Sequence, residues 1–171
     1  MAFHKDIKLK TIVGAGAEME DYGDRDNGVF CGCTSLTAIE IPASVETIES
    51  VAFKDCTNLQ TVTFAEGSNL VTIGGGDSSG YGAFANCPNL TLFDASNCSR
   101  IRTIHRKALY ESEKITFKIT MPVPPIIGYD CFYTASSTSV KICVPMQYVD
   151  TYKTDEYWDS YSKLIVGYDF E

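Results

Sequence analysis

Apolar residues recur along this chain in a fixed order instead of following the single period of one helix or strand. A tetrapeptide made of an apolar residue, a variable one, Thr and Ile occurs as LKTI (9–12), VETI (45–48), LVTI (70–73) and IRTI (101–104). A second block keeps step with it: FCGCTSLTAIEIP from Phe30, FKDCTNLQTVTF from Phe53 and FANCPNLTLFDA from Phe84. Cys33, Cys56 and Cys87 stand three residues after the Phe, and Leu36, Leu59 and Leu90 six after. Small residues Ala52, Ala83 and Ala108 precede Phe53, Phe84 and Leu109. The end of each block alternates as a short half-buried strand does. Ile39 and Ile41, Val62 and Phe64, Ile119 and Met121, Ile142 and Val144 are expected inside. Ala38 and Glu40, Thr61 and Thr63, Leu92 and Asp94, Lys118 and Thr120, Lys141 and Cys143 are expected outside. The repeated Thr of the tetrapeptide suits a second strand or a turn hydroxyl that satisfies backbone groups.

Cys33 and Cys56 are 23 residues apart and Cys56 and Cys87 31, the surplus falling near Glu66–Gly67 and in GGGDSSGYG (74–82). A unit of 23 to 25 residues is of leucine-rich-repeat size. Each such turn has too little apolar surface to bury alone, so turns stack and share one core. The pattern continues more loosely through LYESEKITFKITMP, with Ser112 at the Cys position and Ile115 at the Leu position. It then passes through VPPIIGYDCF to VKICVP, which ends at Pro145. These features predict a mainly β, right-handed leucine-rich-repeat solenoid of about five turns over residues 1–145, with insertions at 13–29 and 74–82. Residues 146–171 leave the repeat. They predict a C-terminal cap with short helices and a last strand, in which Trp158, Tyr161 and Leu164 cover the open end of the core.

The motif F-x-x-C-x-x-L-x-x-I-x-I-P, followed by V-x-x-I and Ala-Phe, is clearest in FCGCTSLTAIEIPASVETIESVAF. It resembles the BspA-like leucine-rich repeat proteins of bacteria and some protozoa, over roughly residues 9–145. The ending VPMQYVDTYK…YW is similar to C-terminal segments of the Bacteroidetes members. The resemblance implies a secreted or surface-displayed protein, and, because several members are implicated in adhesion or host-protein binding, a binding role.

Composition then narrows the partners. The 171 residues include 14 basic and 22 acidic side chains, a net charge of −8, which disfavours nucleic acid or an anionic membrane as the main partner. No run approaches the roughly 18 apolar residues of a spanning helix, so no membrane insertion is expected. The first residues lack the apolar run and cleavage site of a secretory signal. They fit either a cytoplasmic chain or one whose leader has been removed and replaced by a starting methionine. A monomer is expected.

Seven cysteines exclude complete pairing within one chain. Cys33, Cys56 and Cys87 are expected to form a buried column of small apolar side chains. Cys143 is expected to face outward, and whether Cys98, Cys131 or Cys143 form disulfides is open. Zinc needs four converging ligands, usually from C-x-x-C pairs, and only Cys31-Gly-Cys33 comes close, so no metal or other cofactor is expected. The two insertions are Gly-rich and leave the same edge. They are expected to be solvated loops, with a jointly built ligand or calcium site from Asp24, Asp26 and Asp77 as the sharper alternative. DRDNG lacks the spacing and closing Glu of an EF-hand loop.

Cys98, His105 and Asp94 contain the ingredients of a nucleophilic set, but nothing in the sequence joins them and no G-x-S-x-G elbow exists. No catalytic residue is therefore assigned. The expected function is a non-enzymatic module that binds a host or matrix protein or a glycan. Its candidate surface is the outward column Glu40, Thr63, Asp94 and Thr120 with Thr61, Leu92 and Lys118, together with Tyr22, Asp24, Asp26, Asp77 and Tyr81 at the insertion edge. A structural spacer and, further off, a hydrolytic enzyme are the alternatives. An aromatic cluster of Tyr22, Tyr81 and Tyr110 would favour glycan or protein recognition.

Overall fold

The computed structural model describes residues 28–75, 82–132 and 139–170, and the backbone of Thr11–Ile12. In chain order the strands are β1 (Thr11–Ile12), β2 (Ala38–Ile41), β3 (Thr47–Ile48), β4 (Thr61–Phe64), β5 (Thr72–Ile73) and β6 (Leu92–Ala95). There follow β7 (Thr103–Ile104), β8 (Thr116–Ile119), β9 (Ile126–Ile127), β10 (Lys141–Pro145), the helix α1 (Val149–Thr154) and β11 (Ile165–Tyr168). Every pairing is parallel, and strands β1 to β10 alternate between two sheets, with β11 joining the longer of them: β1-β3-β5-β7-β9 and β11-β10-β8-β6-β4-β2. The chain is therefore a parallel β-solenoid of about five turns. The repeated tetrapeptide forms the second, narrower sheet, whose Ile48, Ile73 and Ile104 are buried while the Thr beside each is half-buried.

The third side of each turn has no strand, yet it carries its own ladder of main-chain bonds. The amides of Phe30, Phe53, Phe84 and Leu109 donate to Ala52, Ala83, Ala108 and Cys131 of the following turn at 2.8–3.0 Å. The tight corner that makes this possible needs a left-handed residue two positions after each Phe or Leu. Gly32, Asp55, Asn86 and Glu111 occupy it, with φ between 58° and 67°. Both insertions rejoin the stack at a glycine, Gly28 and Gly82. A Cβ there would run into the main chain of Val51 and Lys107, so turns approach backbone to backbone at these points.

The core is a line of aromatic rings along the axis. Phe30, Phe53 and Phe84 stack in parallel with centroids 4.8 Å apart. Phe93 and Phe117 continue on the long-sheet side, and Phe132 passes the line on to Trp158 and Tyr161. These spacings are those of favourable ring pairs. Leu59, Leu90 and Ile115, at the Leu position, are all fully buried.

The segment after Pro145 closes the stack with hydrogen bonds as well as apolar surface. Along the second sheet each new turn donates an amide to the carbonyl two residues before the buried Ile of the turn below, as Ile126 does to Arg102. At the last turn the acceptor is Pro125, and the indole Nε1 of Trp158 donates to it at 2.7 Å. Tyr152 Oη donates to the Met121 carbonyl at 3.0 Å, and the Cys131 amide donates to Tyr161 Oη at 3.1 Å. Trp158 and Tyr152 are fully buried, and Tyr161 and Leu164 pack partly buried against the same core. β11 then adds a sixth strand to the long sheet, in register Ile142–Ile165 through Pro145–Tyr168.

Two expectations are corrected. The outward column aligned Thr120 with Asp94, but β8 lies two residues earlier, with Lys118 opposite Asp94 and Thr116 opposite Leu92. Phe117 therefore takes the inward place beside Phe93, and Thr120 falls beyond the strand. The single extra residue before Pro122 hid this shift. Cys143 does occupy the outward column, opposite Lys118 and Val166, but it is buried. Lys118 reaches Tyr168 across β10 and so covers it.

Candidate functional site

The long sheet presents two outward columns: Ala38, Thr61, Leu92, Thr116 and Lys141, and Glu40, Thr63, Asp94, Lys118, Cys143 and Val166. Parallel strands separate successive members by about 4.8 Å, so the face is a regular grid. Its inward neighbours Ile39, Val62, Phe93, Phe117 and Ile142 are all apolar, so the core is built on the other face and the outward positions are free to vary.

The grid divides into two halves of different character. Towards the C-terminal end the polar groups satisfy one another. Asp94 accepts from the Ser96 hydroxyl at 2.6 Å and amide at 3.1 Å, and lies 3.5 Å from Lys118 Nζ. Lys118 also donates to Tyr168 Oη at 3.2 Å and sits 4.5 Å from that ring's centroid. The bond to Tyr168 and the charge of Asp94 raise the Lys118 ammonium pKa, so it stays cationic across the neutral range. Thr120 Oγ1 donates to the Ser96 carbonyl at 2.9 Å. Asp94, Lys118 and Thr120 are thus brought together, but as a structural network.

Towards the N-terminal end Glu40 is exposed and Thr61, Thr63 and Leu92 are half-buried with outward-facing side chains. None of these four side chains is tied into the Asp94 network. Tyr22, Asp24, Asp26, Asp77 and Tyr81, and with them the calcium reading, lie outside the described residues. Tyr110 is half-buried, with Lys107 Nζ 5.2 Å from its ring centroid. The root of the second insertion is fixed by Ser50, whose buried hydroxyl accepts from the Gly75 amide at 2.9 Å and donates to the Gly75 carbonyl at 3.1 Å.

Of the expected buried column, Cys56 and Cys87 are buried while Cys33, at the N-terminal end of the row, is half-buried, and none of the seven cysteines is in a disulfide. Cys56 Sγ donates to the Phe30 carbonyl at 3.0 Å and Cys87 Sγ to the Phe53 carbonyl at 3.3 Å. Ser112 at the same position is also buried. Burial pushes the Cys56, Cys87, Cys98 and Cys131 thiols up to about 12, the opposite of an activated nucleophile. Cys98 bonds to Ser68 and Asp94 to Ser96 and Lys118, so neither partners His105 and no nucleophilic set is assembled. Among the described residues no three His, Cys, Asp or Glu side chains converge on a metal-sized site, and no helix is long and apolar enough to cross a membrane.

Sequence reasoning missed the asparagine ladder. Asn58 and Asn89, each two residues after the Cys, donate through Nδ2 to the Thr34 and Thr57 carbonyls of the turn below at 2.8 and 2.7 Å. The recurrence of C-x-N-L was its signal. In comparison with known proteins, the profile described as BspA type leucine rich repeat region matches residues 25–154 in six copies. No curated protein matches the chain.

Proposed function

Since the chain belongs to the BspA-type leucine-rich repeat family, whose repeat regions are generally non-enzymatic and typical of surface proteins, we propose that it is a binding module acting outside the cell. It catalyses no reaction and attaches to a host or matrix protein or glycan through the long sheet. The observation that supports this most is the division of the outward grid. Asp94, Lys118 and Thr120 are occupied with internal bonds, while Glu40, Thr61, Thr63 and Leu92 form an accessible mixed polar and apolar patch on a rigid base. A rigid base keeps the entropy lost on binding small, which favours recognition by a modest area.

The test is binding of the purified protein to immobilised mucin, matrix and serum proteins. Saturable binding at micromolar concentration that is lost on Thr63→Lys with Leu92→Asp is expected. Failure to bind any of them would favour a structural spacer, in which the outward residues serve only solubility.

A further inference from the structure

The C-terminal part of the second sheet, beyond the Glu46 and Glu49 that flank β3, carries a charge opposite to that of the whole chain. Across β5, β7, β9 and their flanks (69–75, 99–110 and 123–132) stand Arg100, Arg102, Arg106 and Lys107 against one carboxylate, Asp130, in a chain of net charge −8. Three of the four arginines in the sequence lie within seven residues of a single turn. Two of them are held in place. Arg100 Nη1 donates to Asn69 Oδ1 at 2.7 Å, and Arg106 Nη1 donates to Tyr129 Oη at 2.7 Å with its guanidinium 5.8 Å from that ring's centroid. Arg102 is exposed between them. Beside this row the surface is apolar: Tyr129 is 62% exposed, and Ile126, opposite Thr103 in the sheet, is 49% exposed.

We infer that this face binds an anionic polysaccharide, with Arg100, Arg102 and Arg106 taking its carboxylate or sulfate groups and Tyr129 its flat sugar face. Guanidinium forks match planar or tetrahedral oxyanions bidentately, and arginines already anchored lose little freedom on binding. A fixed, exposed tyrosine ring adds apolar contact with a polar rim. The negative remainder of the molecule repels a polyanion, so the ligand is oriented onto this one patch. An acidic peptide suits the site less well. Strand addition at β9 would need the carbonyls of its outer edge, and that of Pro125 is taken by Trp158.

The face differs from the one proposed above, so the Thr63→Lys, Leu92→Asp variant should leave this binding intact. Calorimetric titration with dextran sulfate, polygalacturonate, polyglutamate and neutral dextran tests it. Binding to the two anionic polysaccharides, weaker binding to polyglutamate and none to dextran are expected. Arg100→Gln, Arg102→Gln and Arg106→Gln together should weaken it at least tenfold, whereas neutralising the exposed Lys114, Lys141 and Lys163 should change it less than twofold. Tyr129→Ala, which removes both the ring and the anchor of Arg106, should weaken the polysaccharides more than polyglutamate. Arg102→Gln alone, at an exposed position, should still weaken binding severalfold should the triple variant prove unstable. Absence of binding, equal loss with the lysine set, or polyglutamate binding as tightly as the polysaccharides would overturn the inference.

Discussion

Individual residues carry this fold in ways that a hydrophobic pattern does not register. The left-handed corner after each Phe is occupied by Gly32, Asp55 and Asn86, residues that tolerate it, and then by Glu111, which does so poorly. Glu111 is exposed, so Glu111→Gly removes strain without opening a cavity. It should stabilise the protein by about 0.5–1 kcal/mol, measured by urea denaturation. The thiols give a second prediction. Unfolded cysteines ionise near 8.5, while burial holds Cys56, Cys87, Cys98 and Cys131 at about 12. The folded pKa lies above the unfolded one, so the unfolded state loses its protons first. Stability should be fully present below pH 8 and fall as the pH rises towards 12, in thermal melts taken across that window. At pH 8 these four thiols should resist alkylation until denaturant is added. The column itself was legible in the 23- and 31-residue spacings, because one structural position reuses one residue type. The αL corner was not, since Gly, Asp, Asn and Glu share no hydrophobic signal.

At the scale of elements, the closing segment replaces a missing turn. Trp158, Tyr152 and Tyr161 meet main-chain groups of Pro125, Met121 and Cys131 at the open end. Tyr152→Phe keeps the ring and leaves a carbonyl without that donor. It should cost about 1–3 kcal/mol, against almost nothing for the exposed Tyr157→Phe, both read from calorimetric melting. β11 has a further effect. Its Tyr168 holds Lys118 over β10 and so shields Cys143. Burial raises the Cys143 thiol pKa, so the native cysteine should react slowly, and Tyr168→Ala should make it the fastest-labelled buried cysteine by mass spectrometry. The sequence showed that Trp158, Tyr161 and Leu164 would meet the core. It did not show β11 reaching across a strand, because that contact joins residues 50 apart with no repeat to announce it.

For the whole molecule, the stacking of turns separates what must be constant from what is free to change. Phe, Leu, Cys and Ile at fixed places build the interior, and the outward grid inherits a regular spacing from it. That organisation was readable from the two interleaved motifs, as were most of the side chains facing out, β8 and its two-residue shift excepted. The sequence could not show which of those side chains are spent on internal bonds, since Asp94, Ser96, Lys118 and Tyr168 meet only once the turns are stacked. The decisive measurement is therefore a paired one on the four-residue variant Glu40→Arg, Thr61→Lys, Thr63→Lys, Leu92→Asp. Its affinity for whichever matrix protein or mucin the native chain binds, and its unfolding free energy, are recorded together. The account predicts that binding disappears while stability changes by about 1 kcal/mol or less per position, the scale of cross-strand pairs on a half-buried sheet face. Undiminished binding by a stably folded variant would contradict it.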